Sequence, residues 1–430
     1  MVYANSKGMK SIIIDHHKVD DELPECFAHI NPSRDEDNSG LNDLAAVGLT
    51  FIFIVGLRRE IRNKDIFPEI NEPSLKQFLD LVALGTVCDV VKLKGLNRAF
   101  VKEGIDIIAK KPRPGIEGLK SISGSKDIGV SELGYRIGPR INAAGRTGAS
   151  DLGFRLLTSS NEDEVLAISE RLNNLNQQRQ NIEETVLLDA INDVEKKLKD
   201  KKLNTFPSCI IVSGENWHLG VLGIVASRLK EKYYRPSFVI SSDNENLTGS
   251  ARSISGIDVG KIIIKAVSKN ILISGGGHKM AAGFSLKKNS LDDFKEFCED
   301  EIFSQSSETT LNKINYYDSI IDSSNINRDL YNLIKVASPY GQGNPEPQFI
   351  IKNAKIEYWS EVGKGHLKVK LSNANYGHID AIAFSSKGTV IGNIIMNHSG
   401  SLLHIAGNIK NNDWQGNKAV QFHIRDLFTP

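Results

Sequence analysis

Apolar and polar positions change period several times along the chain, and each change marks an element. Tyr3 to Lys7 reads as the end of a helix, with Gly8 as its left-handed cap. Ser11-Ile12-Ile13-Ile14 follows as a short apolar strand that ends at Asp15, a run that resembles a buried parallel strand. No candidate sheet partner precedes it, so the expectation is a chain that starts inside an α/β domain. Helical spacing runs from Leu44 to about Asn63, from Ser74 to Leu84 and from Asn97 to Ala109. The stretch Lys111-Pro112-Arg113-Pro114-Gly115 ends the last of these.

From Asn161 to Leu198, apolar residues at Val165, Ile168, Leu172, Leu175, Ile182, Val186, Ile191, Val194 and Leu198 keep three-four spacing. At a rise of about 1.5 Å per residue, such a helix reaches roughly 55 Å. A coiled coil and a helix connecting two domains both fit, and the single copy favours the connector. After Pro207, strands at Cys209–Val212 and Ser237–Ile240 flank a helix at Val221–Tyr233. Ile271 to Gly277 leads into a glycine-rich turn, and Leu291 to Phe303 is amphipathic. A Ser-, Thr- and Asn-rich stretch from Ser304 to Ser324 reads as a linker. Short alternating strands such as His366–Leu371, Ile379–Phe384 and Ala419–Ile424 then predict a small β-barrel between Phe349 and Phe428.

Composition narrows this picture without naming a function. A chain of 430 residues exceeds one ordinary core and implies two to three domains. Hydrophobic residues make up 40% and charged residues 24%, the balance of a soluble globular protein. No apolar run approaches the roughly 20 residues that span a bilayer, and no signal peptide precedes the first charges. The expected location is cytoplasmic. Cys26, Cys88, Cys209 and Cys298 form no CxxC pair and read as scattered buried thiols. A net charge of +1 lacks the strong basic excess of many DNA-binding domains, so any nucleic-acid path has to be a local groove.

Candidate chemistry gathers in a few segments. Asp15-His16-His17 stands at the carboxyl end of a strand, where open α/β sheets place ligands. A carboxylate and two imidazoles there suit Mn²⁺ or Mg²⁺, though a plain polar loop has the same composition. In Leu84-Gly85-Thr86-Val87-Cys88-Asp89-Val90-Val91, Asp89 lies within an apolar run and is either a helix-capping residue or a second metal carboxylate. Gly138-Pro139-Arg140-Ile141-Asn142-Ala143-Ala144-Gly145-Arg146 reads as a glycine-rich turn whose Arg140, Asn142 and Arg146 suit phosphate or base contacts, or else as a structural turn. Gly275-Gly276-Gly277-His278-Lys279-Met280-Ala281-Ala282-Gly283-Phe284 offers backbone that can approach a phosphate closely, with His278 as a donor. Ser250 and Arg252 form a candidate phosphate clamp, while Trp217 and His218 read more readily as packing. Pro339-Tyr340-Gly341-Gln342-Gly343-Asn344-Pro345-Glu346-Pro347 reads as a rigid interdomain turn.

In order and spacing, these motifs resemble the RecJ family of DHH/DHHA1 phosphoesterases along nearly the whole chain. The resemblance implies an α/β architecture: a partial DHH parallel-sheet domain, a long connecting helix, an α/β DHHA1 domain and a C-terminal β-barrel of OB type. The expected boundaries are 1–155, 156–204, 205–303, a linker region at 304–338, and 339–430. It implies a metal-dependent 5′→3′ exonuclease on single-stranded DNA, serving repair and recombination, with the strand threaded between the DHH and DHHA1 domains. His16, His17 and Asp89 fall in the metal centre, with Asp15 opening its motif and two Mn²⁺ or Mg²⁺ ions in the complete enzyme. Arg140, Asn142 and Arg146 fall on the DNA path, and Ser250 and Arg252 where the 5′ phosphate is held. Gly276, Gly277 and His278 fall in the substrate-contacting motif, and His278 is also expected to stabilise charge in the reaction. Tyr358, Trp359 and Trp414 are candidate stacking platforms, or core aromatics.

The family also has an aspartate-rich motif on an earlier strand and a further metal-binding aspartate before DHH. None of the 14 residues before Asp15 is acidic, so this chain is expected to be truncated and inactive by itself. Implied partners are single-stranded DNA, a single-strand-binding protein and a repair helicase, with a monomeric state and no membrane. Two rival readings are another DHH phosphodiesterase, acting on short RNA or cyclic dinucleotides, and a non-catalytic DNA-binding homologue.

Overall fold

The computed structural model describes residues 1–430 except 20–22, 68, 70, 146–149, 200–205, 244, 307–310, 374–377, 398–399, 401 and 413–418. Residues Met1–Gly138 and Tyr316–Pro430 form one compact unit and Pro139–Asn315 another.

Helix α1 (Val2–Ser6) ends before Gly8, whose φ of 72° is the left-handed cap read from the sequence. Strand β1 (Ile12–Ile14) pairs in parallel with β2 (Ala28–Ile30), with Ile13 opposite His29. The parallel character is as expected, but the burial is not: Ile12 is exposed and Ile13 and Ile14 are half-buried. The partner strand comes later in the sequence, where one Ala, one His and one Ile gave no periodic signal. Helices α2 (Ala46–Asn63), α3 (Leu79–Cys88), α4 (Gly95–Lys110) and α5 (Pro114–Ile122) complete this part, with α5 carrying its proline at the start, where the missing N–H costs nothing. Their core holds Leu49, Val82, Val101, Ile116 and Leu119.

A short helix α6 (Val130–Glu132), a π turn (Leu133–Ile137) and α7 (Gly138–Gly145) come next. The segment expected as a glycine-rich turn is therefore helical as far as Gly145. Its small residues serve packing: a Cβ on Gly138 would lie 2.4 Å from the Cys88 sulfur, and Ala143 and Ala144 are buried.

After α8 (Leu152–Thr158), α9 (Glu162–Lys199) runs for 38 residues, about 57 Å at 1.5 Å per residue. Val165, Ile168 and Leu172 are buried near its start and Val186, Ala190 and Val194 near its end. Between them Ile182 is exposed, so the predicted stripe is two separate seams, the form a connector takes.

The end of α9 packs on a five-stranded sheet. Strands β3 (Ile210–Gly214), β4 (Ser237–Ser241), β5 (Asn246–Arg252), β6 (Ser274–His278) and β7 (Ala281–Lys287) stand in the order β3-β4-β5-β7-β6. The pair β3–β4 is parallel and the others antiparallel. Helix α10 (Leu219–Tyr233) joins the end of α9 and Trp217 in one cluster on one face. On the other, α11 (Val259–Ser268) and α12 (Leu291–Gln305) enclose Phe238, Phe284 and Phe294.

Strand β8 (Ser319–Ile320) and helix α13 (Arg328–Val336) follow. The stretch read as a linker over 304–338 is thus shorter than expected. Isolated apolar residues within polar sequence, namely Ile321, Ile326, Leu330, Tyr331 and Ile334, anchor it to the core of the next domain. That domain comprises β9 (Phe349–Val362), β10 (His366–Asn373), β11 (His378–Ala383), α14 (Val390–Asn397), β12 (Leu402–Asn412) and β13 (Ala419–Phe428). The order β10-β11-β13-β12-β9 closes through β9–β10 into a five-stranded barrel, as expected. Leu367, Val369 and Leu371 point inward and Lys368 and Lys370 outward, the period-two pattern seen in the sequence.

Candidate functional site

Because β1 and β2 are parallel, their carboxyl ends lie at one edge and feed one site. Beyond β1, the Asp15 Oδ1 accepts from the amides of His16 (2.8 Å) and His17 (3.3 Å) and lies 2.7 Å from His17 Nδ1. One oxygen thus organises the turn and orients the second imidazole. Burial pushes the Asp15 carboxyl up, but the hydrogen bonds from the His17 ring and the two amides outweigh it and hold the group below its ordinary range. Beyond β2, the Asn31 side chain is buried and donates to the His17 carbonyl (2.9 Å), and the Ser33 hydroxyl donates to the His16 carbonyl (3.1 Å). The sequence reading missed Asn31 and Ser33 as supports. Only the Asn-Pro pair hinted at a turn there, and nothing local said across what it reached.

Asp89 joins from α3. His16 Nε2 lies 3.3 Å from Asp89 Oδ2, and the ring of His17 stands 4.6 Å from that of His16. Of the two readings of Asp89, its position is that of the C-terminal cap residue of α3, with its side chain 39% exposed although it lies in an apolar run. A carboxylate there faces the negative end of the helix dipole, which costs about 0.3–1 kcal/mol without a nearby cation. It therefore does not serve as a helix-stabilising cap. Ligand atoms of Asp15, His16 and His17 lie within 4.8 Å of one another. This set of carboxylate oxygens and imidazole nitrogens fits a divalent cation.

Cys88, next to Asp89, is not available as a thiolate. Burial first, and then the Asp89 charge, pushes its thiol up to about 11.

In the second unit, Ser250 and Arg252 lie on β5. Arg252 Nη1 donates to the Ser250 hydroxyl (3.2 Å) and to the Ala251 carbonyl (2.8 Å), so the two form one group. Helix α10 leaves room for it at Gly223, where a Cβ would come within 2.8 Å of Arg252 Nη2. Trp217 is buried and packs as expected, whereas His218 is exposed and caps that helix, its Nδ1 accepting from Gly220 N.

The segment Gly275 to Gly283 is a hairpin and not the expected cradle-like turn. Gly276 and Gly277 lie in β6, the end strand of its sheet, and His278 pairs with Ala281 across Lys279 and Met280. Register places Arg252, Ala281 and His278 in one row and Ser250, Gly283 and Gly276 in the next. All six share one sheet face, and His278 stands two strands from Arg252, roughly 10 Å between backbones. Gly276 and Gly283 would each have free space around an added Cβ. The result is an open shelf with a guanidinium and a hydroxyl at one side and an imidazole at the other.

Other expected residues fare differently. Arg140 donates to the Asn173 side chain of α9 (3.0 Å), while Asn142 is exposed. Two residues apart on a helix, they occupy different faces. Arg146 and Trp414 lie outside the described residues. Tyr358 is 62% exposed on the barrel, whereas Trp359 packs against its core.

Family models match the chain over residues 1–86 (DHH family, N-terminal domain), 207–303 (DHHA1 domain) and 317–426 (RecJ OB domain). The single-stranded-DNA-specific exonuclease RecJ of Salmonella typhimurium is 32% identical over 437 residues, covering all of this chain and 74% of that protein. The Escherichia coli protein of the same name is 32% identical over 436 residues, again with 74% of its length covered. The crystal structure of RecJ in complex with Mn²⁺ from Thermus thermophilus superimposes with a TM-score of 0.80 at 26% identity, covering 99% of this chain and 59% of that one.

Proposed function

The chain belongs to the RecJ family of single-stranded-DNA-specific exonucleases, and on that basis we propose that it serves a 5′→3′ exonuclease that depends on a divalent metal. The observation that carries this reading is the meeting of Asp15, His16, His17 and Asp89 at the carboxyl ends of two parallel strands. His16, His17 and Asp89 hold the metal, while Asp15 fixes the His17 ring. Mn²⁺ or Mg²⁺, when bound there, supplies Lewis acidity toward the phosphodiester and toward water. A second ion needs carboxylates beyond these four residues.

The Ser250–Arg252 group holds the terminal 5′ phosphate through charge-assisted hydrogen bonds. The open shelf of Gly276 and Gly283 lets a backbone approach, and His278 donates to a non-bridging oxygen. Water adds to phosphorus as the P–O3′ bond breaks. The first nucleotide leaves with its 5′ phosphate, and the new end again carries one. Exposed Tyr358, with Lys368 and Lys370 on the same barrel wall, supports the strand further along. The work done is DNA repair and recombination in the cytoplasm, by a monomer that meets a single-strand-binding protein and a helicase.

The test gives the complete enzyme 5′-phosphorylated and 5′-hydroxyl single strands labelled at either end, with Mn²⁺ binding measured by calorimetry. His17→Ala is expected to lower Mn²⁺ affinity about 10- to 100-fold, and Arg252→Ala to remove the preference for the 5′ phosphate. Shortening from the 3′ end, or unchanged Mn²⁺ affinity in His17→Ala, would overturn the proposal.

A further inference from the structure

Three residues beyond Asp89, at Lys92 and Leu93, the chain is gripped by a turn from the barrel's own segment. The Leu93 amide donates to the Gln342 carbonyl (2.7 Å), and Leu93 is 2% exposed. Gly341 faces Leu93 so closely that a Cβ would lie 2.7 Å from its Cδ1. Gly343 has φ +71°, and a Cβ there would lie 2.9 Å from Lys92 Cβ. The turn is tied back as well. Arg98 Nη2 donates to the carbonyls of Val336 (3.3 Å) and Ser338 (3.1 Å), and Asn97 Nδ2 holds the carbonyls of Lys92 (3.0 Å) and Asp43 (2.5 Å). All of these residues belong to one compact unit.

Between Asp89 and this grip stand Val90 and Val91; Val90 has φ +59° and is 66% exposed. A β-branched residue avoids the left-handed region, and an exposed side chain gains nothing there to offset the strain. On one side the end of α3 holds it, the Val90 amide donating to the Val87 carbonyl (3.2 Å); on the other, past Val91, stands the docked Lys92–Leu93 segment. Such strain persists only where its surroundings over-determine it, and it gathers at functional sites.

We infer that the Gly341-Gln342-Gly343 turn is a positioning element for the metal centre: by clamping Lys92 and Leu93 it holds Val90 in its left-handed conformation and so sets the place of the Asp89 carboxylate. The turn thereby tunes metal affinity without touching the metal. This inference rests on Asp89 being a metal ligand, as proposed above.

The test measures Mn²⁺ affinity by calorimetry and exchange of the Leu93 amide by hydrogen–deuterium exchange, on the full chain. Gly343→Val is expected to speed Leu93 exchange and raise the Mn²⁺ dissociation constant about tenfold, the usual scale for a lost support behind a ligand. Adding Val90→Gly, which favours the left-handed region and brings no new donor, is expected to restore most of the affinity. Gly388→Val is the control for strain as such. That glycine has φ +77° with open space around it, so stability falls and Mn²⁺ affinity stays. Should Gly343→Val fail to fold, Arg98→Ala loosens the same turn and is read the same way. Faster Leu93 exchange with unchanged Mn²⁺ affinity would overturn the coupling. An Asp89→Asn variant that binds Mn²⁺ as the parent does would instead remove the metal assignment, and the coupling with it.

Discussion

Gly138 has room for a hydrogen and little else. With the Cys88 sulfur 2.4 Å from where its Cβ would lie, Gly138→Ala forces α3 and the start of α7 apart. Overpacking of this kind costs about 1–3 kcal/mol, read as a lower unfolding midpoint. Cys88→Ala in the same chain removes the obstructing sulfur and is expected to recover part of the loss. An additive pair of losses would show that the two sites do not meet. At this scale the sequence was informative about chemistry and silent about support. Asp15, His16, His17 and Asp89 were legible because charged and imidazole groups next to apolar runs demand a reason. Asn31 and Ser33 were not, because their partners are backbone carbonyls in the turn beyond another strand.

At the scale of elements, the glycines of β6 separate two roles that the motif alone mixes. A Cβ on Gly277 would strike the Ala281 carbonyl at 2.4 Å, whereas one on Gly276 meets nothing within 4 Å. Gly277→Val is therefore expected to unfold the hairpin. Gly276→Val is expected to keep the parent's thermal midpoint and to lose single-strand affinity, because its side chain fills the shelf. Equal stability losses in both would remove the shelf as a separate feature. Helix α9 makes a related point about periodicity. Its length was plain from three-four spacing. Its division into two seams was not, because an apolar residue marks a face and not what covers it. The polar stretch between the seams holds the ion pair of Arg179 with Glu183 (2.9 Å), which a hydrophobic count passes over.

For the molecule as a whole, the barrel carries a built-in acid sensitivity at His423 on β13. Burial first, then the charges of Lys410 and Arg425, lowers its pKa to about 4 from an ordinary 6.5. The unfolded chain takes up the proton below about pH 6.5, while the folded barrel resists until about pH 4. Its contribution is therefore intact above pH 6.5 and is lost as the pH falls from 6.5 toward 4. His423→Gln is expected to flatten the unfolding midpoint across that window, and equal slopes in parent and variant would contradict the assignment. Local information in the sequence determined the long helices and the strands of the barrel. These follow from periodicity and capping, which act over a few neighbours. Tertiary structure alone decided the pairing of β1 with β2, the helical state of Gly138–Gly145 and the strand state of Gly276 and Gly277. It also decided the docking of the Gly341–Gly343 turn behind Asp89. Each of these depends on a partner distant in sequence, and close packing between such partners leaves no periodic mark on either one.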